Sequence, residues 1–266
     1  MPGSGRTTPS RLFDARIPRW KHEPETLVAA LQLAEAEVWA CHQEAKAELI
    51  ARVQAATGTV LDPAQPILGY ARRMTGYKRP LLLFSDRERL ERIAELHPFQ
   101  IVMAGKAHPR DGDGKAAIRQ IHEFARRLNG KIPCVFLPDY DIDVAKLLVS
   151  GADIWLNTPQ PPMEASGTSG MKAALNGVLN LSVLDGWWIE ACIEGVTGWA
   201  IGEDGSDDPA AHAAMLFDKL ERIVLPLYHG DRAGWCRMMK QSIGLVGSYF
   251  NSQRMMRRYA SEAYLR

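Results

Sequence analysis

The chain has 266 residues, of which 46% are hydrophobic and 24% charged, the balance of a folded globular protein with one or two domains. Its 32 Lys plus Arg stand against 31 Asp plus Glu, and a net charge of +1 is too even for a general electrostatic grip on nucleic acid. No apolar run approaches the roughly 18 residues of a membrane span, and the opening MPGSGRTTPSR has no secretory pattern, so no membrane partner is expected.

Residues 1–23 are rich in Pro, Arg, Gly and Thr and read as an irregular lead-in. From Glu25 onward Leu27, Leu31, Ala34, Val38, Cys41, Ala45, Leu49 and Val53 recur at steps of three and four, which predicts one buried helix face. Gly58 and the two prolines of AATGTVLDPAQP end it. ILGY (67–70) reads as a strand, LLLFSDRERLERIAEL (81–96) as a helix and QIVMAG (100–105) as a second strand. A helix is predicted over 115–128, where Ile118, Ile121, Ala125 and Leu128 share one face. PCVFLP (133–138), DIWLN (153–157) and LNLSVLD (179–185) supply three more strands. Strands alternating with helices predict an α/β fold, a Rossmann-like parallel sheet flanked by helices, over residues 24–206. Residues 207–266 read as a C-terminal extension of two or three helices. Cys41, Cys134, Cys192 and Cys236 form no C-x-x-C pair, which predicts buried free thiols and a cytoplasmic location.

Ligands of open parallel sheets bind beyond the carboxyl ends of the strands, so chemistry is sought in those loops. ARRMTGYKR (71–79) places Arg72, Arg73, Lys78 and Arg79 directly after a strand, able to hold one or two phosphates or simply to face solvent. In PPMEASGTSGMKAALNG (161–177), Ser166, Gly167, Thr168, Ser169 and Gly170 form a small-residue loop before a helical pattern, the setting in which free amides bind anions. Lys172 is then expected in the first helical turn, where the dipole disfavours a cation. It reads either as a Schiff-base lysine or as a surface lysine near a cap. GK at 114–115 lacks the following Ser or Thr of a P-loop. DYDID (139–143) lacks the glycine and glutamate of a calcium loop, with Val144 and Ser150 in their places. No HExxH or Cys/His cluster supports a metal site.

EASGTSGMKAALN (164–176) is similar to the pyridoxal-phosphate signature of the α-glucan (glycogen, starch and maltodextrin) phosphorylases, a dense thirteen-residue pattern. ARRMTGYKR, MAGKAHPRDGDGK, GADIWLN, NLSVLDGWWIE and the late PLY…W…M…SI…FN…RM resemble the same family in the same order, and the likeness is to its short bacterial and archaeal type. The resemblance covers about residue 7 to the C-terminus. It implies that Lys172 carries pyridoxal 5′-phosphate and that Thr168, Ser169 and Gly170 hold the cofactor's phosphate. Arg73 and Lys78 match the cations that hold substrate phosphate, and Arg72 stands at a cofactor-side position where many members have Lys. Tyr77, Glu164, Ser166 and Gly167 match positions that hydrogen-bond the transferred glucosyl unit, and Tyr140 falls near the cofactor ring. The implied reaction moves a glucosyl unit from α-1,4-glucan to inorganic phosphate, giving glucose 1-phosphate, with the two phosphates exchanging a proton.

The family is built as two halves of the glycosyltransferase GT-B type, with the active site between them, and LFDARIPRW (12–20) resembles the segment at their junction. The expectation is therefore a C-terminal, cofactor-bearing half with little or no phosphorolysis by itself, partnered by a glucan-binding N-terminal half that a separate chain could supply. Two other readings stand beside it. One is a sugar-nucleotide-dependent glycosyltransferase, against which Lys172 occupies the second acidic position of an E-x7-E pattern begun by Glu164. The other is a non-catalytic binding or regulatory subunit.

Overall fold

The computed structural model describes residues 8–128, 130–203 and 205–265. Six strands, β1 (Ile67–Ala71), β2 (Gln100–Ala104), β3 (Cys134–Leu137), β4 (Ile154–Asn157), β5 (Leu179–Val183) and β6 (Gly198–Ile201), form one parallel sheet in the order β3-β2-β1-β4-β5-β6. β1, β2, β4 and β5 are buried at every position, with no polar-out alternation. That pattern belongs to a parallel sheet covered on both faces. The order reverses between β1 and β4, which leaves a crevice at their carboxyl ends. Gly69 lets the layers meet there, because a Cβ at this position would lie 2.8 Å from Ala152 Cβ.

Helices α1 (Thr8–Arg16), α2 (Glu35–Thr57), α3 (Arg87–Leu96), α4 (Gly112–Leu128), α5 (Ile142–Gly151), α6 (Thr168–Leu175) and the short α7 (Trp188–Ala191) accompany the sheet. Beyond them come α8 (Pro209–Lys219), α9 (Leu225–Gly230), α10 (Arg232–Gln241) and α11 (Ser252–Tyr259), with wider π turns at Leu220–Val224, Ser242–Gly247 and Ala260–Tyr264. Residues 209–264 thus run as three helical rods, broken near Asp231 and near Asn251. One core cluster packs Phe99, Ile101 and Leu181 against Trp199, Leu216 and Trp235. A second sets Leu49 and Val53 of α2 and Leu148 of α5 against Ile67, Val102 and Trp155. Each such side chain contributes about 1.5–3 kcal/mol by leaving water. Among the described residues no helix is long and apolar enough to cross a membrane.

The structure departs from the sequence reading in several places. Residues 8–16, read as irregular, form α1, whose Phe13 is buried, as is Ile17 just beyond it; residues 1–7 lie outside the described residues. The single helix from Glu25 is instead a 3₁₀ segment, Pro24–Gln32, then an extended Leu33, then α2. Its buried residues Pro24, Leu27 and Ala30 recur every third position, the 3₁₀ period, which spacing of three and four does not separate from an α-helix. Similarly, the helix over 81–96 is divided, with Leu82–Phe84 forming a 3₁₀ turn before Asp86 caps α3. α5 and β6 had no counterpart in the prediction. DYDID turns out to cap α5, the Asp141 carboxylate accepting the N–H groups of Asp143 and Val144. Finally, all four cysteines are free, but only Cys236 is buried; Cys41, Cys134 and Cys192 are half-buried.

Candidate functional site

The carboxyl end of β1 runs directly into the basic loop. Arg72 follows the last strand residue, Gly76–Lys78 makes a single 3₁₀ turn, and Arg79 takes the left-handed conformation with φ 45°. This curl turns the loop back under itself and buries Lys78. Its carbonyl is pinned by two hydroxyl donors, Tyr70 Oη at 3.0 Å and Thr158 Oγ1 at 3.0 Å. Burial pushes the Tyr70 phenol well above its usual pKa, so it stays a donor. Arg79 donates to Thr158 O at 2.9 Å and pairs with His212 Nδ1 at 2.8 Å.

From the other side of the crevice, the loop after β4 brings Glu164. Its Oε2 accepts from Arg72 Nη2 at 2.7 Å and also from Lys78 Nζ. The three side chains are about nine-tenths buried, at 8%, 8% and 11% exposure. Lys78 Nζ also lies over the Tyr77 ring, 4.5 Å from its centroid. Arg72 Nε and Nη1 are buried and have no hydrogen-bond partner among the described residues. A buried guanidinium with open donors costs free energy until an acceptor arrives. Tyr140 is half-buried; burial raises its phenol pKa and the Arg72 charge pulls it partly back.

Gly167, with φ 95°, turns the chain into α6, and no side chain caps that helix. The small-residue run is sterically required at Gly170, where a Cβ would come within 2.7 Å of both Asn180 Oδ1 and Trp187 Cζ2. Ser169 Oγ accepts a long hydrogen bond from Trp155 Nε1 at 3.4 Å. Lys172 is the fifth residue of α6, so it sits in the second turn, not the first. The periodic run begins earlier than its apolar residues reveal, because Thr168, Ser169 and Gly170 already belong to the helix. Lys172 Nζ reaches back to Thr168 Oγ1 at 3.1 Å. Both line a cavity of about 820 Å³ with Ser166, Trp20, Trp187 and Phe250.

The structure therefore joins Arg72, Tyr77, Lys78 and Glu164 in one cluster, and Lys172, Thr168 and Ser166 along one cavity wall. Arg73 is exposed, and its guanidinium makes no hydrogen bond or ion pair among the described residues. Sequence reasoning missed Asp185, which is 5% exposed and accepts the Glu164 N–H at 2.9 Å through Oδ2. An Asp-Gly pair directly after a strand is a turn signal that marks it. Trp187 N–H, donating to Ser166 O at 2.9 Å, completes the seam between the two loops.

A family model described as carbohydrate phosphorylase matches residues 17–198. The glycogen phosphorylase of Aquifex aeolicus is 47% identical over 220 residues, covering 79% of this chain and 31% of that protein. The maltodextrin phosphorylase of Thermococcus litoralis is 38% identical over 252 residues, covering 88% of this chain and 30% of that protein. For the glycogen phosphorylase of Mycobacterium tuberculosis the figures are 42% over 218 residues, 77% and 25%. The chain thus spans about a third or less of the length of these relatives.

Proposed function

The chain belongs to the carbohydrate phosphorylase family, and from that premise we propose that it forms the phosphate- and cofactor-binding part of an α-glucan phosphorylase. The reaction would transfer a glucosyl unit from an α-1,4-glucan to inorganic phosphate, giving glucose 1-phosphate. One observation carries this reading: two buried cations from the loop after β1 converge with the loop before α6, at the point where the strand order reverses.

The residues present fit pyridoxal 5′-phosphate. Arg72 keeps two buried N–H donors open, α6 begins without a side-chain cap, and Gly170 leaves room for nothing larger than hydrogen. Lys172 offers an exposed primary amine for the cofactor's aldehyde. When bound, the cofactor would supply a phosphate group able to exchange a proton with substrate phosphate.

The protein's own groups do the rest. Arg72 and Lys78 hold phosphate oxygens and offset the charge that develops as the glycosidic bond breaks. Thr168, Ser169 and Gly170 offer the first amides of α6 to the cofactor's phosphate. Tyr77, Glu164, Ser166 and Gly167 would orient sugar hydroxyls, and Tyr140 would stand beside the cofactor ring. Arg73, exposed at the rim, would bind substrate phosphate. The chain covers 31% and 30% of two of these relatives, and the purified chain is accordingly expected to show little or no phosphorolysis of maltodextrin. The decisive experiment is cofactor trapping: incubation with pyridoxal phosphate, borohydride reduction and peptide mapping by mass spectrometry. Label confined to Lys172 is the expected result; no label, or label scattered over surface lysines, would overturn the assignment.

A further inference from the structure

The Arg72–Glu164–Lys78 cluster is charged but incomplete. Two cations share a single carboxylate oxygen, so one positive charge is left over inside a site about nine-tenths removed from water. Arg72 contributes two further donor nitrogens, Nε and Nη1, that are buried without an acceptor among the described residues. A lone carboxylate cannot satisfy this arrangement. A phosphate oxyanion can, because it offers three or more acceptor oxygens and matches the guanidinium fork.

Glu164 is also mounted to move. Its backbone is fixed, with the N–H on Asp185 Oδ2 at 2.9 Å, and the neighbouring Ser166 carbonyl is fixed by Trp187 N–H at 2.9 Å. Among the described residues the side chain is held by the two cations alone. A rotamer change can therefore withdraw the carboxylate with no displacement of the loop.

We propose that Glu164 is an internal counter-ion: it plugs the Arg72–Lys78 pair until a phosphate oxyanion displaces it, and the freed carboxylate then turns to the sugar. The inference rests on the reading of this site as the meeting place of phosphate and glucosyl groups. Phosphate entering beside Glu164 brings like charges together, and that repulsion drives the carboxylate off. Arrival of the anion and readiness to accept sugar hydroxyls become one event. By linkage, sugar bound to the released Glu164 must tighten phosphate by the same factor.

Two sources carry the oxyanion, inorganic phosphate and the 5′-phosphate of the cofactor, so each is titrated separately into the purified chain by calorimetry. The comparison is between wild type and Glu164→Gln, which removes the competing charge but keeps an acceptor. The expected result is that Glu164→Gln binds the displacing anion more tightly, by about tenfold, the scale of one charge-assisted hydrogen bond. Tightening for inorganic phosphate alone identifies it as the displacing group; tightening for pyridoxal phosphate alone identifies the cofactor. Should Glu164→Gln fail to fold, Glu164→Asp decides in its place. Its carboxylate, one methylene shorter, is held less closely by the two cations, and the affinity is expected to rise by a smaller factor. Unchanged or weakened binding of both anions would overturn the proposal, since Glu164 would then be organising the cations for phosphate and not competing with it. Borohydride labelling of Lys172 in the same preparations reports on the cofactor reading independently, so the two can fail separately.

Discussion

The backbone N–H of Glu164 donates to Asp185 Oδ2 at 2.9 Å, while Asp185 Oδ1 accepts the N–H of Gly186 at 2.8 Å. One buried carboxylate thereby ties the loop after β4 to the turn after β5. Gly186 adopts φ 56°, and a Cβ there would lie 2.6 Å from Ser166 O and 2.7 Å from Glu164 O. The two loops are in backbone contact, and Asp185 sets their register.

Replacing Asp185 by Ala leaves two N–H groups without their acceptor, at a cost of about 1–3 kcal/mol for each buried donor that water does not reach. Thermal melting should fall accordingly, and hydrogen exchange at Glu164 and Trp187 should quicken. Normal protection at both amides in a folded Asp185→Ala chain would show that the seam holds without the carboxylate.

At the opposite end of the sheet, Asp153 anchors a second buried network that the reaction does not use. Its Oδ2 lies 2.9 Å from Lys46 Nζ and accepts Ile67 N–H at 2.7 Å, while Oδ1 meets His42 Nε2 at 2.9 Å. Burial pushes the Asp153 pKa up, but the Lys46 charge, the His42 hydrogen bond and the Ile67 N–H outweigh it and bring the value to about 2. Because the folded pKa lies below the ordinary 3.8, the stabilisation is present above pH 4 and is lost as pH falls toward 2. Asp153→Asn is therefore expected to destabilise by about 3–5 kcal/mol at neutral pH, since it strands a buried ammonium. Its deficit relative to wild type should shrink between pH 4 and 2. Denaturant melts at several pH values check this; a deficit that stays constant down to pH 2 would remove Asp153 from the acid response.

Strands β1 to β5 were legible because short apolar runs bounded by turn residues have few other uses. β6 was not, because GWAI is four residues long and begins at a glycine with φ 153°. α5 was missed although Val144 and Leu148 stand four apart, since attention fell on the aspartates of DYDID and not on their capping role. The site shows the same division. Cations after a strand and small residues before a helix can be seen in sequence, and they drew attention to two loops that the fold brings together. The pairing of Glu164 with Arg72 and Lys78 spans 92 and 86 residues and depends on β1 lying beside β4. Nothing local encodes that adjacency; it follows from the reversal in strand order. Asp185 escaped for the same reason, as its partner backbone is 21 residues away on another loop.

Lys172 separates attachment from stability. It is exposed, and its only side-chain bond among the described residues is to Thr168 Oγ1 at 3.1 Å. Lys172→Ala removes that bond and places the best helix former in the second turn of α6, so stability should change by no more than about 0.5 kcal/mol. Borohydride trapping of pyridoxal phosphate should nonetheless disappear. A folded Lys172→Ala chain that still takes up one equivalent of label would assign the amine elsewhere.

Gly170 makes the complementary case, a residue with no functional group on which the site depends. Alanine would gain about 1 kcal/mol of helix propensity there. The added Cβ, however, would stand 2.7 Å from Asn180 Oδ1 and 2.7 Å from Trp187 Cζ2, both parts of buried side chains. Asn180 cannot simply turn away, because its Nδ2 donates to Gly170 O at 3.1 Å. Overpacking of this kind costs about 1–3 kcal/mol and displaces the start of α6 from the sheet. Gly170→Ala should thus lower the melting temperature and reduce labelling at Lys172, which rides on the same helix. Gly112→Ala at the start of α4 is the control, since a Cβ there has nothing within 4 Å and should be neutral or stabilising. Equal behaviour of the two variants would mean that the close contact between α6 and the Asn180–Trp187 pair does not position the lysine.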